Sequence, residues 1–274
     1  MIGVFDSGEG GLSVLREIAS LLPNEKYVYF SDNAHCPYGE KTPEYIQNRS
    51  RIITQTLLDK GADIIVVACN TATAAAIKTL REEFPVKFIG MEPAVKPAAL
   101  GTRTGVIGVL ATAGTLKGSK YLKTKGNYQD NCKIVEAVGK GFVELVEAGK
   151  LDGPEVIETV SASLRPLLDA GADTIVLGCT HYPFLLPVMQ KIAGAEIRFI
   201  DPAPAVARHL IYVMVQEGLL DEHSATAVLA KVVKTAEDAA LGKSEPAKVA
   251  EGTSVELLTS GSSEALERIF KLIV

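Results

Sequence analysis

The chain has 274 residues, 47% of them hydrophobic, and a formal net charge of -5. That is enough for one large domain or two moderate ones, each with its own core. Its basic residues form no dense block and no apolar run reaches membrane-spanning length, so neither a nucleic-acid partner nor a membrane span is expected.

The N-terminus goes directly into Ile2-Gly-Val-Phe-Asp6, with no basic region, long apolar run and small-residue cleavage site, so a cytoplasmic protein is expected. Residues 2–5 read as a strand, Asp6-Ser-Gly-Glu-Gly-Gly11 as a glycine-rich turn, and Leu12, Leu15, Ile18, Ala19 and Leu22 as the apolar face of a helix stopped by Pro23. A strand at 27–30 leads into the loop Ser31-Asp-Asn-Ala-His-Cys-Pro-Tyr-Gly39, which is placed to close on a ligand; Thr42 and Pro43 then cap and start a helix to about residue 58. A strand at 63–68, an alanine-rich helix at 72–84 and a strand at 87–90 follow. Prolines and a glycine interrupt the pattern over residues 91–102, the best internal boundary.

Beyond it come a strand at 104–110, a helix capped by Thr112, a strand at 134–137, two helical stretches, a strand ending at Cys179, a helix from Pro183 and a strand at 197–200. Residues 203–216 read as helix and 225–240 as mostly helix. The chain closes with a strand at 255–259 and a helix at 264–273. Strands alternating with helices predict an α/β fold: two similar doubly wound, mostly parallel-sheet domains with the active site between them. The second domain is expected over residues 97–206. Residues 207–274 would return to complete a discontinuous first domain with residues 1–96.

One stretch occurs twice: Gly61-Ala-Asp-Ile-Ile-Val-Val-Ala-Cys69-Asn-Thr and Gly171-Ala-Asp-Thr-Ile-Val-Leu-Gly-Cys179-Thr-His. A weaker echo links Ile2-Gly-Val-Phe-Asp6-Ser7 to Ile107-Gly-Val-Leu-Ala111-Thr112, as a duplicated α/β unit would produce. In an open parallel sheet, residues just past the strands' carboxyl ends line the ligand crevice. Both cysteines fall there, each ahead of a helix whose N-terminus favours a thiolate. A lone cysteine ending an apolar strand is more often a small buried hydrophobe; two at equivalent positions, followed by Asn70-Thr71 and Thr180-His181, read as a pair of reagents. A thiolate facing one side of a carbon and a thiol facing the other remove and deliver a proton, which inverts a stereocentre.

Asp6 ends the first strand near Cys69 and is expected to orient a substrate ammonium or assist that thiol; His181 would tune Cys179 in the same way. Ser7, Asn70, Thr71, Thr112 and Thr180 are candidates to hold a small carboxylate, although Ser and Thr also cap helices routinely. Glu147 reads from periodicity as a solvated helical position. Cys36 and Cys132 lack duplicated partners and read as inert. The four cysteines have no zinc-site spacing, and Gly8 to Gly11 match no nucleotide-binding pattern, so neither metal nor nucleotide cofactor is expected.

Gly3-Val-Phe-Asp-Ser-Gly-Glu-Gly-Gly-Leu12, Cys36-Pro-Tyr-Gly39, Val67-Ala-Cys-Asn-Thr-Ala72 and Gly178-Cys-Thr-His-Tyr-Pro-Phe184 together resemble the glutamate racemases of the aspartate/glutamate racemase superfamily. The similarity runs from residue 2 to about 201 and resumes in Glu256-Leu-Leu-Thr-Ser-Gly261. It implies cofactor-independent interconversion of L- and D-glutamate, with Cys69 and Cys179 each serving one face of the substrate. It also implies substrate contacts from Asp6, Ser7, Pro37, Tyr38, Gly39, Asn70, Thr71, Thr112, Thr180 and His181, an acidic support at Glu147, a homodimer, and supply of D-glutamate for peptidoglycan. Two departures stand out: Ser31-Asp-Asn-Ala-His-Cys36 replaces the family's Gly-Asp-Thr-Ala-Arg, and Gly139-Lys-Gly141 replaces a Cys-Pro ahead of Glu147. Racemization of aspartate or a hydantoin, and amino-acid binding without catalysis, are the competing expectations.

Overall fold

The structure, a computed structural model, describes residues 1–221, 224–228, 230–232 and 247–274. Its first half runs β1 (Ile2–Asp6), α1 (Leu12–Leu21), β2 (Lys26–Ser31), α2 (Pro43–Asp59), β3 (Ile64–Val67), α3 (Asn70–Glu83) and β4 (Lys87–Ile89). The second half runs α4 (Val95–Gly101), β5 (Val106–Ala111), α5 (Ala113–Lys117), α6 (Ser119–Tyr128), β6 (Lys133–Val138), α7 (Phe142–Glu147), α8 (Pro154–Asp169), β7 (Thr174–Gly178), α9 (Leu186–Ala193) and β8 (Arg198–Ile200). After α10 (Ala203–Gln216) come β9 (Ser254–Thr259) and a C-terminal helix (Ser263–Phe270).

Among the described residues every strand pairing is parallel, in two sheets ordered β4-β3-β1-β2-β9 and β6-β5-β7-β8. Read from the other edge the second sheet is β8-β7-β5-β6, so its strands repeat the order of β4-β3-β1-β2. The sequence duplication is thus a duplication of topology. Central β1, β3 and β7 are buried along their whole length, as strands covered by helices on both faces must be. Helices α1 and α10 and the C-terminal helix cover one face of the first sheet, and α2 and α3 the other. In the second half, α7, α8 and α9 oppose α4 and α6.

The repeated Gly-Ala-Asp has a structural meaning. Gly61 and Gly171 terminate α2 and α8 at φ +89° and +85°, a left-handed conformation that favours glycine, and the chain then turns directly into β3 or β7. Thr42 and Thr112 cap α2 and α5 as their positions predict.

Two readings need correction. The interrupted stretch at 91–102 contains α4, because Pro97 occupies the third helical position, where its missing N–H leaves no hydrogen bond unmade. Cys179 is not followed directly by an α-helix: a tight 3-10 turn, Tyr182–Leu185, precedes α9. The helix expected at 225–240 is present over 225–228 and 230–232, and its remaining residues lie outside the described ones.

Candidate active site

The site forms where the carboxyl ends of β1, β3, β5 and β7 meet. Cys69 and Cys179 leave the ends of β3 and β7 and line one pocket. Ser7, Pro37, Tyr38, Gly39, Asn70, Thr71, Thr112, Thr180 and His181 line it too, so it gathers the sequence candidates except Asp6 and Glu147, which stand behind the wall. Its volume is about 20 Å³, room for roughly one water, so admission of an amino acid requires the walls to separate.

Contacts between the halves fix this convergence. Ser13 Oγ donates to the Thr180 carbonyl at 2.9 Å, and the hydroxyls of Thr71, Thr112 and Thr115 form a triangle with sides of 3.0, 3.3 and 3.0 Å. Tyr38 is held in place within its loop. It sits in a 3-10 turn, buried, and its hydroxyl donates to Asp32 at 2.5 Å while Arg49 grips the same carboxylate at 2.7 and 3.0 Å. Although burial pushes the Asp32 carboxyl up, the Arg49 and Tyr38 hydrogen bonds outweigh it and hold the group below its ordinary range.

Cys69 is itself the N-cap of α3, its sulfur accepting the Ala72 N–H at 3.4 Å. At Cys69 the environment opposes the thiolate that the helix N-terminus favours. Burial, and then the negative Asp6 beside it, hold the Cys69 pKa well above the ordinary thiol value despite the helix N–H. The thiol donates to Ser7 Oγ at 3.8 Å. Asp6 accepts the Gly11 N–H at 2.7 Å and the Thr180 hydroxyl at 3.3 Å through Oδ2, and burial raises its pKa against the pull of His181 and Cys69. Asp6 thus lies beside Cys69, behind the residues that line the pocket.

Around the second thiol lies a relay. Cys179 Sγ is 3.7 Å from His181 Nδ1, and His181 Nε2 is 2.6 Å from Glu147 Oε1. Burial works against the imidazolium, but the hydrogen bonds to Cys179, Cys36 and Glu147 outweigh it and raise the His181 pKa well above its usual value. Burial likewise opposes the Glu147 carboxylate, and His181 prevails and holds it low. Both shifts favour the imidazolium–carboxylate form of the pair. Glu147, a solvated position by periodicity, turns inward from the last turn of α7.

The glycine run explains itself here. A Cβ on Gly10 would sit 2.3 Å from His181 Nδ1, and one on Gly8 2.2 Å from Glu147 Oε1. Tyr29 Oη donates to the Gly8 carbonyl at 2.8 Å, and the Glu9 N–H donates to Glu147 Oε1 at 2.8 Å. The turn is a bed for the relay.

Sequence reasoning missed Glu9, whose place between glycines reads as a solvated turn. Its carboxylate is fully buried, accepting from Ser31 Oγ at 2.5 Å and Asn33 Nδ2 at 2.9 Å. Both partners belong to the loop that departs from the family pattern, so that departure accompanies a buried acid. Burial first, and the Glu147 charge second, push Glu9 up to about 7. A raised carboxyl binds its proton more tightly in the folded state, so stability falls as pH rises from about 4.5 through about 7. Between pH 5 and pH 8 the wild type is expected to lose on the order of 3 kcal/mol more unfolding free energy than Glu9→Gln, an upper bound set by 1.36 kcal/mol per pKa unit. Urea unfolding of both proteins at the two pH values measures this; equal losses would show that Glu9 ionises as an ordinary carboxylate.

Two further features escaped the sequence: Val143 on α7 lines the pocket, and Cys36 packs beside His181 and Glu147. Burial pushes the Cys36 thiol up to about 11.

The model of the Asp/Glu/Hydantoin racemase family matches residues 2–210. A glutamate racemase of Stutzerimonas stutzeri is 50% identical over 226 residues, 82% of this chain and 86% of the relative. One from Pseudomonas aeruginosa is 50% identical over 220 residues, 80% of this chain and 83% of the relative. Among solved structures, Escherichia coli glutamate racemase in complex with L-glutamate and an activator superposes with a TM-score of 0.78 at 31% identity, covering 99% of this chain and 94% of that one. The Thermus thermophilus glutamate racemase in complex with β-chloro-D-alanine gives 0.73 at 32% identity, covering 98% and 91%.

Proposed function

Since this chain belongs to the Asp/Glu/hydantoin racemase family, we propose that it interconverts L- and D-glutamate without a cofactor, by proton transfer at Cα between Cys69 and Cys179. The observation that carries this reading is that two thiols from equivalent strands of the two sheets line one pocket. Glutamate, rather than another amino acid, is favoured by the relatives, which at half identity are glutamate racemases.

The pocket is built to take a polar ligand. Both side-chain polar atoms of Asn70 are buried on its wall with no hydrogen-bond partner, an arrangement that costs about 1–3 kcal/mol per group until something polar arrives. Ser7, Thr71, Thr112 and Thr180 add hydroxyls, and closure around the ligand excludes water.

When Cys179 is the base, it takes the Cα proton with His181 at its side, and the Cys69 thiol, held protonated by burial and Asp6, delivers a proton to the other face. In the reverse direction Cys69 must first give up its proton, and Asp6 is its acceptor. The raised Asp6 pKa narrows the gap to a thiol, which lowers the cost of that transfer. Asp6, His181 and Glu147 thus serve the two thiols, while Cys69 and Cys179 carry the chemistry.

The family resemblance also supports a homodimer in the cytoplasm supplying D-glutamate for bacterial peptidoglycan. Pairing of β9 with β2 supports a discontinuous first domain of residues 1–96 plus 207–274, with 97–206 as the second. Packing of Ala203 and Val206 into the first-half core supports a return to that domain already along α10.

The test is incubation in D2O with glutamate, aspartate or a hydantoin. Glutamate is expected to gain deuterium at Cα and lose its optical signal. Faster exchange on either of the other two overturns the substrate, and saturable glutamate binding without exchange overturns catalysis.

A further inference from the structure

We propose that Cys36, His181 and Glu147 form a three-ligand site for a thiophilic divalent cation, Zn2+ in the first instance, whose occupation inhibits proton transfer. Binding stands on geometry alone; inhibition rests on the function proposed above. Among the described residues these three place their ligand atoms within 4.8 Å of one another. Spacing rules miss them because they come from the loop after β2, the end of α7 and the turn after β7. The donor set of thiolate, imidazole and carboxylate suits zinc, and three protein ligands leave a fourth position open.

Small movements complete the geometry. With bonds of about 2.0–2.3 Å, the ligand atoms of a tetrahedral Zn2+ lie roughly 3.3–3.8 Å apart. Cys36 Sγ is 4.0 Å from Glu147 Oε1 and needs only a slight approach. His181 Nε2 and Glu147 Oε1, now 2.6 Å apart about a shared proton, would spread as a cation replaces it. Gly8 leaves the ground between sulfur and carboxylate clear, since a Cβ there would stand 3.0 Å from Cys36 Sγ and 2.2 Å from Glu147 Oε1. The outer partners are already in place: the Glu9 N–H donates to Glu147 Oε1, and Arg268 donates to the Glu147 carbonyl at 2.6 Å. Cys36 is also the most accessible thiol, half-buried where Cys69, Cys132 and Cys179 are buried. It does not line the substrate pocket, so a cation bound through it would not occupy the ligand space itself. A bound cation would take His181 and Glu147 out of service to Cys179.

The experiment titrates Co2+ into the full chain, freed of metal by chelation and kept under a non-thiol reductant. The wild type is expected to develop a thiolate-to-cobalt charge-transfer band that Zn2+ bleaches, and Zn2+ is expected to inhibit glutamate racemization. Cys36→Ser, which keeps a hydrogen-bonding group beside His181, should lose the band and, measured against its own metal-free turnover, weaken Zn2+ inhibition by about tenfold or more. Cys36→Val is the second variant if the serine protein melts at a lower temperature. Absence of the band in the wild type, or its survival in a folded Cys36 variant, overturns the site. Unchanged Zn2+ inhibition in Cys36→Ser assigns the metal to Cys69 and Cys179 and also overturns it. Because the cobalt band is read without substrate, a protein that binds cobalt through Cys36 yet fails to racemize glutamate separates this inference from the proposed function.

Discussion

Cys69→Ser and Cys179→Ser are each expected to lower racemization by about 10³-fold or more, and to do so asymmetrically. General acid–base groups contribute about 10²–10⁴-fold, and a hydroxyl, far less acidic than a thiol, neither gives up its proton in time nor stands ready as a base. The asymmetry is the more telling part. In either variant the surviving thiol still faces one enantiomer and can exchange its Cα proton with solvent, while the opposite enantiomer meets only the serine. Deuterium incorporation from L- and D-glutamate, followed separately with inversion read by circular dichroism, should therefore fail for one enantiomer in Cys69→Ser and for the other in Cys179→Ser. Loss of exchange from the same enantiomer in both variants, or unchanged turnover in either, would mean that the thiols do not serve opposite faces.

The fold was legible wherever one pattern determined one element. Short apolar runs such as 64–67 and 175–177, rich in β-branched residues and preceded by glycine, fit a strand covered on both faces, and Thr42-Pro43 or Gly61 start and stop helices by local chemistry. Duplication supplied the rest, since repeated strands imply repeated sheet order. Less legible was anything decided by a partner distant in sequence. Glu147 and Glu9 carry charges at positions that locally read as solvated, and only the folding of α7 against the glycine turn, 138 residues away, buries them together. Tyr38 reads as a loop aromatic until Asp32 and Arg49 are seen to hold it. Cys69 shows the reverse failure: its place ahead of a helix is visible in the sequence, but the depth of burial and the adjacent Asp6 that outweigh the helix N-terminus are not. Local rules give the sign of one contribution, and the tertiary environment decides which contribution wins.

Glu147→Gln tests that balance on the other thiol. The glutamine keeps size and a hydrogen-bond acceptor while removing the charge that helps hold His181 protonated against burial. Kcat/KM is expected to fall about 10²-fold or more, because a histidine without its carboxylate loses both its orientation and its favoured protonation state. Exchange from the enantiomer deprotonated by Cys179 should suffer most, and the alkaline limb of the pH profile should move to lower pH. Stability gives an independent check on sign. The folded His181 pKa is raised, so its contribution is fully present below about 6.5 and is lost as pH rises through the folded value; the folded Glu147 pKa is depressed, so its contribution is present above about 4.5 and is lost as pH falls through the folded value. The destabilisation of Glu147→Gln should therefore be largest near pH 5–6 and shrink at alkaline pH. A pH-independent loss would assign Glu147 a packing role. Gly10→Ala reaches the same relay by steric means, since an added Cβ would stand 2.3 Å from His181 Nδ1 and displace the ring. If the charge at Glu147 and the position of His181 are what serve Cys179, both variants should spare the exchange that begins at Cys69.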